Sequence, residues 1–412
     1  MNRAPTCSEN PGELLTQAVI EDPHSFFKQA RQASSVSRVG ETGVHLVSTW
    51  ESIVEVLGRE QDFSANLTGV LFRDPEGQPT TFDLPATDGT QVIATADDPD
   101  HAIHRKVAKP RLSDREISRL EPLIRAWTKE ALSPWLIKGG GDFVPLAEII
   151  PAQVIGHLLG LPAGDVEHHR TWAMMGGEIL AGDINQDGMQ SLVIETARMA
   201  NYLGEHLEKA KNHQKSSDDL TLLNTLADGV EEGLLSTSAA TGIAIVMFGA
   251  GGESTSALIG SAVRTLAENP SLADQLRREP ETIPRFIEET LRLEPPFKFH
   301  YRAVQRECEL DGYALFPGDR LMLLWASANR DPEIFEDPDE FRLDRKHPKH
   351  HMSFGRGMHF CIGSQLARLE GRIVVEEILK QTHHIGLNPQ TPPEYARSIF
   401  IRRHESLPIV ID

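Results

Sequence analysis

Ser353-Phe354-Gly355-Arg356-Gly357-Met358-His359-Phe360-Cys361-Ile362-Gly363 is a glycine-rich loop that ends on a cysteine and runs into an amphipathic stretch, residues 364–379. The pattern predicts a loop that delivers one sulfur to a helix start. Free amides and the partial positive charge of a helix N-terminus favour thiolate over thiol. Glycines such as Gly355 and Gly363 let backbone amides come close to the sulfur, and apolar Phe354 and Phe360 keep water from it. A thiolate held this way is a strong electron-donating metal ligand.

Two plainer readings of the loop explain less. An inert buried thiol, the common fate of a single cysteine, leaves the glycines and the helix start without a reason. A zinc site built from His347, His350, His351, His359 and Cys361 lacks the paired ligand spacing that zinc sites use. The run F-G-x-G-x-H-x-C-x-G is instead similar at every specified position to the haem-binding signature of the cytochrome P450 superfamily. That resemblance implies haem b, with Cys361 as the ligand of its iron and Phe354, Gly355, His359 and Gly363 shaping the cradle. An axial thiolate is the kind of ligand that favours cleavage of the O–O bond on iron.

Residues 237–266 form the longest apolar segment, stopped by Asn269-Pro270 and read as a helix buried on most sides. Within it lies Ala250-Gly251-Gly252-Glu253-Ser254-Thr255. Each glycine costs a helix about 1 kcal/mol relative to alanine, and missing side chains open room for a ligand against the backbone. An acid and hydroxyls beside that room can relay protons. The segment resembles the family's oxygen-activation motif A-G-x-[DE]-T at Ala250, Gly251 and Glu253. Ser254 stands where the family usually has threonine, so the relay falls to Glu253 with Ser254 or Thr255. The competing structural reading is that Gly251 and Gly252 serve close helix packing.

Glu289 and Arg292 share one face of the proline-bounded helix 283–293 and resemble the family's buried E-x-x-R pair. The usual third partner, an arginine in P-x-R-F, is replaced by glutamate in Pro338-Asp339-Glu340-Phe341, which leaves Arg342 or Arg345 to substitute or the triad incomplete. Haem carries two propionates whose burial demands cationic or hydrogen-bonding partners. Asp98-Pro99-Asp100-His101 with Arg105 resembles the family's D-P-x-H-x-x-x-R helix, and Arg302 and His359 match the remaining propionate positions. Residues 63–68 and 250–255 resemble a bacterial subfamily whose physiological substrate is not settled.

The rest of the chain is consistent with that class. Its 412 residues are 40 % hydrophobic and 25 % charged, enough for a large core. The periodicity of residues 113–136 is helical, Lys138 to Asp142 breaks that helix, and short strands such as 321–324 follow later. A polar run, 211–219, reads as a solvated loop. The expected class is mainly α with small β-sheets. The resemblance implies a triangular prism with haem between the long central helix and the cysteine-loop helix. Residues 1–22 are expected to be a flexible segment and 23–412 a single domain.

Three cysteines suit a reducing compartment, and no leader or membrane anchor is visible, so the cytoplasm is the expected location. With 60 acidic residues against 41 basic ones and a net charge of −19, nucleic acid is a poor partner. No dinucleotide fingerprint follows a strand, so electrons must come from another protein, expected to be a ferredoxin served by a ferredoxin reductase. Arg105, Lys106, Lys109 and Arg111, with Arg345, Lys346, Lys349 and Arg356, form two basic runs that can steer an acidic carrier. The expected reaction is hydroxylation of an apolar small molecule with dioxygen. The alternatives are a haem-binding sensor or a peroxide-driven oxidant on the same fold. By family position the substrate pocket draws on Leu71, Phe72, Met247, Phe248, Phe297, Phe299 and Phe400, with Lys298 or His300 to hold an acidic group.

Overall fold

Ser236 Oγ accepts the Ala239 amide at 3.0 Å, capping a free N–H and starting a 32-residue helix, Thr237–Glu268, that runs through the middle of the molecule. The computed structural model describes residues 2–84, 91–184, 186–212 and 220–412. The polar run at 211–219 therefore lies almost wholly outside the described residues. The central helix is long and apolar enough to cross a membrane, yet 72 % of its most apolar window is buried inside the fold. It packs against helices Val144–Leu159 and Ser364–Gln381, so its apolar surface is consumed by the core.

Proline sets several boundaries as its missing N–H dictates. Pro270 opens the helix after Asn269, and helix Ile283–Leu293 carries Pro284 in its first turn and gives way to Pro295-Pro296. Helix Asp114–Ile137 ends before the glycine run, whose Gly140–Asp142 forms an edge strand.

The strands gather into small sheets, the largest with five strands. Its middle strand, Arg320–Leu323, runs parallel to Val44–Val47 and antiparallel to His300–Val304, with Leu323 opposite His300 and Leu321 opposite Arg302. Alternation along a strand puts His300 and Arg302 on one face and Tyr301 on the other.

Asn10 and Thr16 cap two short helices, Pro11–Leu15 and Gln17–Glu21. Leu14, Leu15, Val19 and Ile20 are buried in the same apolar cluster as Phe299 and Phe400. These side chains pack the opening segment against the body.

Candidate active site

Gly355 and Gly357 take φ of +67° and +73°, left-handed values that side chains other than glycine rarely adopt. Their turns bring the Cys361 amide to the Phe354 carbonyl at 2.9 Å. The helix Ser364–Gln381 starts three residues beyond the cysteine, and the Gly363 amide faces the sulfur. Burial pushes the thiol up, opposed by that amide and by Arg368 and Arg105. Coordination to a metal ion would deprotonate it outright.

The loop is anchored by residues that motif reading did not single out. Asn329 donates to Ser353 Oγ at 2.9 Å and accepts the Met352 amide at 2.7 Å. Glu288 takes Arg368 in a two-pronged bond, 2.6 and 3.0 Å, and His351 at 2.9 Å. Arg368 lies over the Phe354 ring at 4.4 Å. The signal was present in the doubled Glu288-Glu289, but a charge on a helix names no partner.

The expected third partner of the Glu289–Arg292 pair is Arg345. Glu289 Oε1 lies 2.7 Å from Arg292 and 2.8 Å from Arg345 Nε, whereas Arg342 contributes its backbone amide at 3.0 Å. The Arg342 side chain turns to Asp337 and Asp344.

Cys361 lies on the wall of a mainly apolar cavity, the character of a small-molecule site. Arg105, Ala250, Gly251, Ser254, Thr255, Arg302, Phe354, Gly355, His359 and Gly363 also line it, so the structure brings most of the expected site residues together. Ala250 is exposed in mid-helix because this space lies against it. A Cβ on Gly251 would meet Ile155, and one on Gly252 would strike Ala173 at 2.4 Å. Gly252 thus serves helix packing, not ligand room.

Arg302 is 7 % exposed and, among the described residues, donates to the Tyr301 carbonyl without an ion pair. Burial pulls it down to about 10. His101 Nε2 and His359 Nδ1 are buried without partners, their rings 4.1 Å apart. Burial and then Arg302 take His359 down to about 3. Arg105 Nη1 donates to the Phe360 carbonyl at 2.9 Å, joining helix Asp100–Ala108 to the cysteine loop. A buried cation without an anion, an orphaned imidazole nitrogen and a sulfur on one cavity, with the His101 imidazole stacked beside His359, are a donor set for a metal-bearing group with carboxylates. These residues fit haem. Among the described residues no cluster of three or more His, Cys, Asp or Glu could hold a metal ion by itself.

The sequence profile of the cytochrome P450 family matches residues 189–402. Cytochrome P450 144 of Mycobacterium tuberculosis is 37 % identical over 412 residues, covering 98 % of this chain and 93 % of the relative. The chain belongs to the cytochrome P450 family. It is a cytochrome P450 monooxygenase and binds haem b. The erythromycin C-12 hydroxylase of Saccharopolyspora erythraea is 33 % identical over 70 % of this chain and 72 % of its own length. Among solved structures, CalO2 superposes with a TM-score of 0.84 at 28 % identity over 99 % of both chains. CYP109E1 of Bacillus megaterium with testosterone gives 0.83 at 28 %, over 96 % of this chain and 99 % of that one. The mainly helical fold with small sheets is that of the P450 neighbours.

Two groups of expected site residues lie elsewhere in this P450. Glu253 is 2 % exposed and does not line the cavity; its carboxylate accepts the Gly177 amide at 2.8 Å and Arg403 Nε at 3.2 Å. Of the expected substrate residues, Met247 and Phe297 face the cavity. Leu71, Phe248, Phe299 and Phe400 are buried in the core, Phe248 against Trp172 and His169, and Phe72 belongs to a two-stranded hairpin away from the cavity lining. Apolar side chains packed around a pocket and those facing it have the same composition. Lys298 is buried with its ammonium on the Ser398 carbonyl at 2.7 Å, turned from the cavity.

Proposed function

We propose that this P450 takes electrons from a ferredoxin, reduced in turn by a ferredoxin reductase, and hydroxylates an apolar small molecule. The observation that carries this reading is a cavity with the Cys361 sulfur at one wall and Val246, Met247, Phe297 and Pro296 among the residues of a mainly apolar lining. Burying apolar ligand surface there is favourable by roughly 25 cal/mol per Å².

Cys361 would hold the iron and Arg302, Arg105, His101 and His359 the propionates, while Ala250 and Gly251 line the same cavity. Haem, when bound, would supply the iron that activates dioxygen, and the Cys361 thiolate as its ligand would favour O–O cleavage. Ser254 donates its hydroxyl to the Ala250 carbonyl and keeps its lone pairs for a water or a ligand in the cavity. Thr255 lines the same space. Glu253 acts from behind the helix, as a carboxyl that can exchange its hold on Gly177 and Arg403 for a proton delivered inward.

The electron entry would lie on the cysteine side. Lys106, Lys109, Lys349 and Arg356 are exposed there, the Arg105–Phe360 bond linking the helix of Lys106 to the loop of Arg356. Phe360, 42 % exposed beside Cys361, is an apolar centre for such a docking face. The cytoplasm, where thiols stay reduced, suits these three free cysteines.

Substrate-dependent oxygen consumption, with a ferredoxin and its reductase, tests this reading. It predicts turnover that falls as ionic strength rises. Turnover with peroxide alone and none with the electron carriers would favour a peroxide-driven oxidant instead.

A further inference from the structure

Trp325 Nε1 donates to His300 Nδ1 at 2.7 Å. An indole can only donate, so Nδ1 carries the lone pair and the neutral ring carries its proton on Nε2. Phe297 and Phe400 stand edge-on to the imidazole at 5.3 and 5.4 Å, which fixes the plane of the ring. His300 lines the cavity beside Arg302, and among the described residues no protein acceptor meets Nε2. Burial, then Arg302, lowers His300 to about 3, so it offers an uncharged N–H throughout the physiological range.

We infer that His300 is a specificity-determining residue whose Nε2–H receives an uncharged oxygen, a ketone, ester, ether or hydroxyl, on an otherwise apolar substrate. This rests on the haem-thiolate reading above and narrows its substrate class. The four propionate partners are already supplied by Arg302, Arg105, His101 and His359, while His300 is walled by aromatic rings. A carboxylate substrate is disfavoured because a neutral donor leaves its charge uncompensated in an apolar wall. Trp325 is the positioning residue, since its indole sets the tautomer.

The test uses the holoenzyme and a panel of matched pairs that differ by one carbonyl, such as phenylcyclohexane and 4-phenylcyclohexanone, with longer and fused-ring homologues. Affinity is read from the substrate-induced shift of the ferric Soret band. One hydrogen bond of ordinary net strength corresponds to about tenfold in affinity, so the best-fitting ketone should bind about tenfold tighter than its hydrocarbon. His300→Phe should bring that ratio to about one with the hydrocarbon unaffected. His300→Gln, whose amide can stand in for Nε2–H, should restore part of the ratio, and Trp325→Phe should lower it. A ratio unchanged in His300→Phe, or no ketone preference anywhere in the panel, overturns the proposal. So does faster haem loss in His300→Phe with an intact ratio, which would assign the N–H to a propionate. The reduced carbon-monoxide spectrum is recorded first on the same samples. Its failure overturns the haem-thiolate reading, whereas a normal spectrum with a flat ratio overturns the role of His300 alone.

Discussion

Arg403 Nε stands 3.2 Å from Glu253 Oε1, and that contact holds the acid of the central helix on the side away from the cysteine cavity. The acid and the hydroxyls next to it in sequence therefore face different surroundings. Ser254 and Thr255 look into the site, while Glu253 looks toward Gly177 and the C-terminal strands.

Burial raises Glu253 to about 7 from an ordinary 4.5, against the opposing pull of Arg403 and the Gly177 amide. Between those two values the folded chain keeps a proton that the unfolded chain has released, so this residue's contribution to stability falls as pH rises through that window. The gap corresponds to about 3 kcal/mol. Glu253→Gln lacks the titration, so urea unfolding from about pH 4.5 to about pH 7 should show the variant gaining on the parent; parallel curves would rule out the shift. If Glu253 feeds the relay, the same variant also turns over more slowly with haem content unchanged.

Arg302 is a buried cation with no ion pair among the described residues. Replacing it with leucine should have opposite effects in the two forms of the protein. Haem transfer to an acceptor apoprotein should accelerate by roughly tenfold to a hundredfold, the worth of a charge-assisted bond. The haem-free variant should resist denaturant better than the haem-free parent, because an unpaired buried charge has been removed. A loss of stability in both forms would assign Arg302 to packing instead.

The Glu289 network predicts a graded series. Arg292 binds Glu289 and the carbonyls of Asn329, Pro338 and Glu340, so Arg292→Ala takes the bidentate partner from a buried carboxylate, leaves the Asn329 and Pro338 carbonyls without it, and should abolish accumulation of folded holoenzyme. Arg345→Ala leaves Arg292 in place and should cost about 1–3 kcal/mol in chemical unfolding. Arg342→Ala, which keeps the amide that Glu289 uses, should stay within about 0.5 kcal/mol of the parent.

Ser254 lacks the methyl that would restrict its χ1. Ser254→Thr should hold the hydroxyl more firmly and lower the hydrogen peroxide released per electron pair consumed; Ser254→Ala should raise it. Equal peroxide yields in both variants would move the relay to Thr255.

Local chemistry made much of this molecule readable from its residues. Proline placement marked the helix Ile283–Leu293, and the apolar run ending at Asn269 marked the central one. The glycines before Cys361 marked a loop that brings backbone close to the sulfur, and Gly355 and Gly357 shape it with left-handed φ. What could not be read were directions and distant pairings. Which way Glu253 points is decided by the 173–177 segment packed on Gly249 and Gly252, far away in sequence. The Trp325–His300 bond follows from strand register, and the choice of Arg345 over Arg342 from the path of a loop. Met247 and Phe248 are adjacent and equally apolar, yet one faces the cavity and the other the core.

The central claim is that the Cys361 sulfur binds haem iron, and the absorption spectrum of the reduced, carbon-monoxide-treated protein tests it most directly. The parent should show the red-shifted Soret band of a thiolate complex and Cys361→Ser should lose it. A parent without that band, or a Cys361→Ser variant that keeps it through Cys7 or Cys308, would contradict the account.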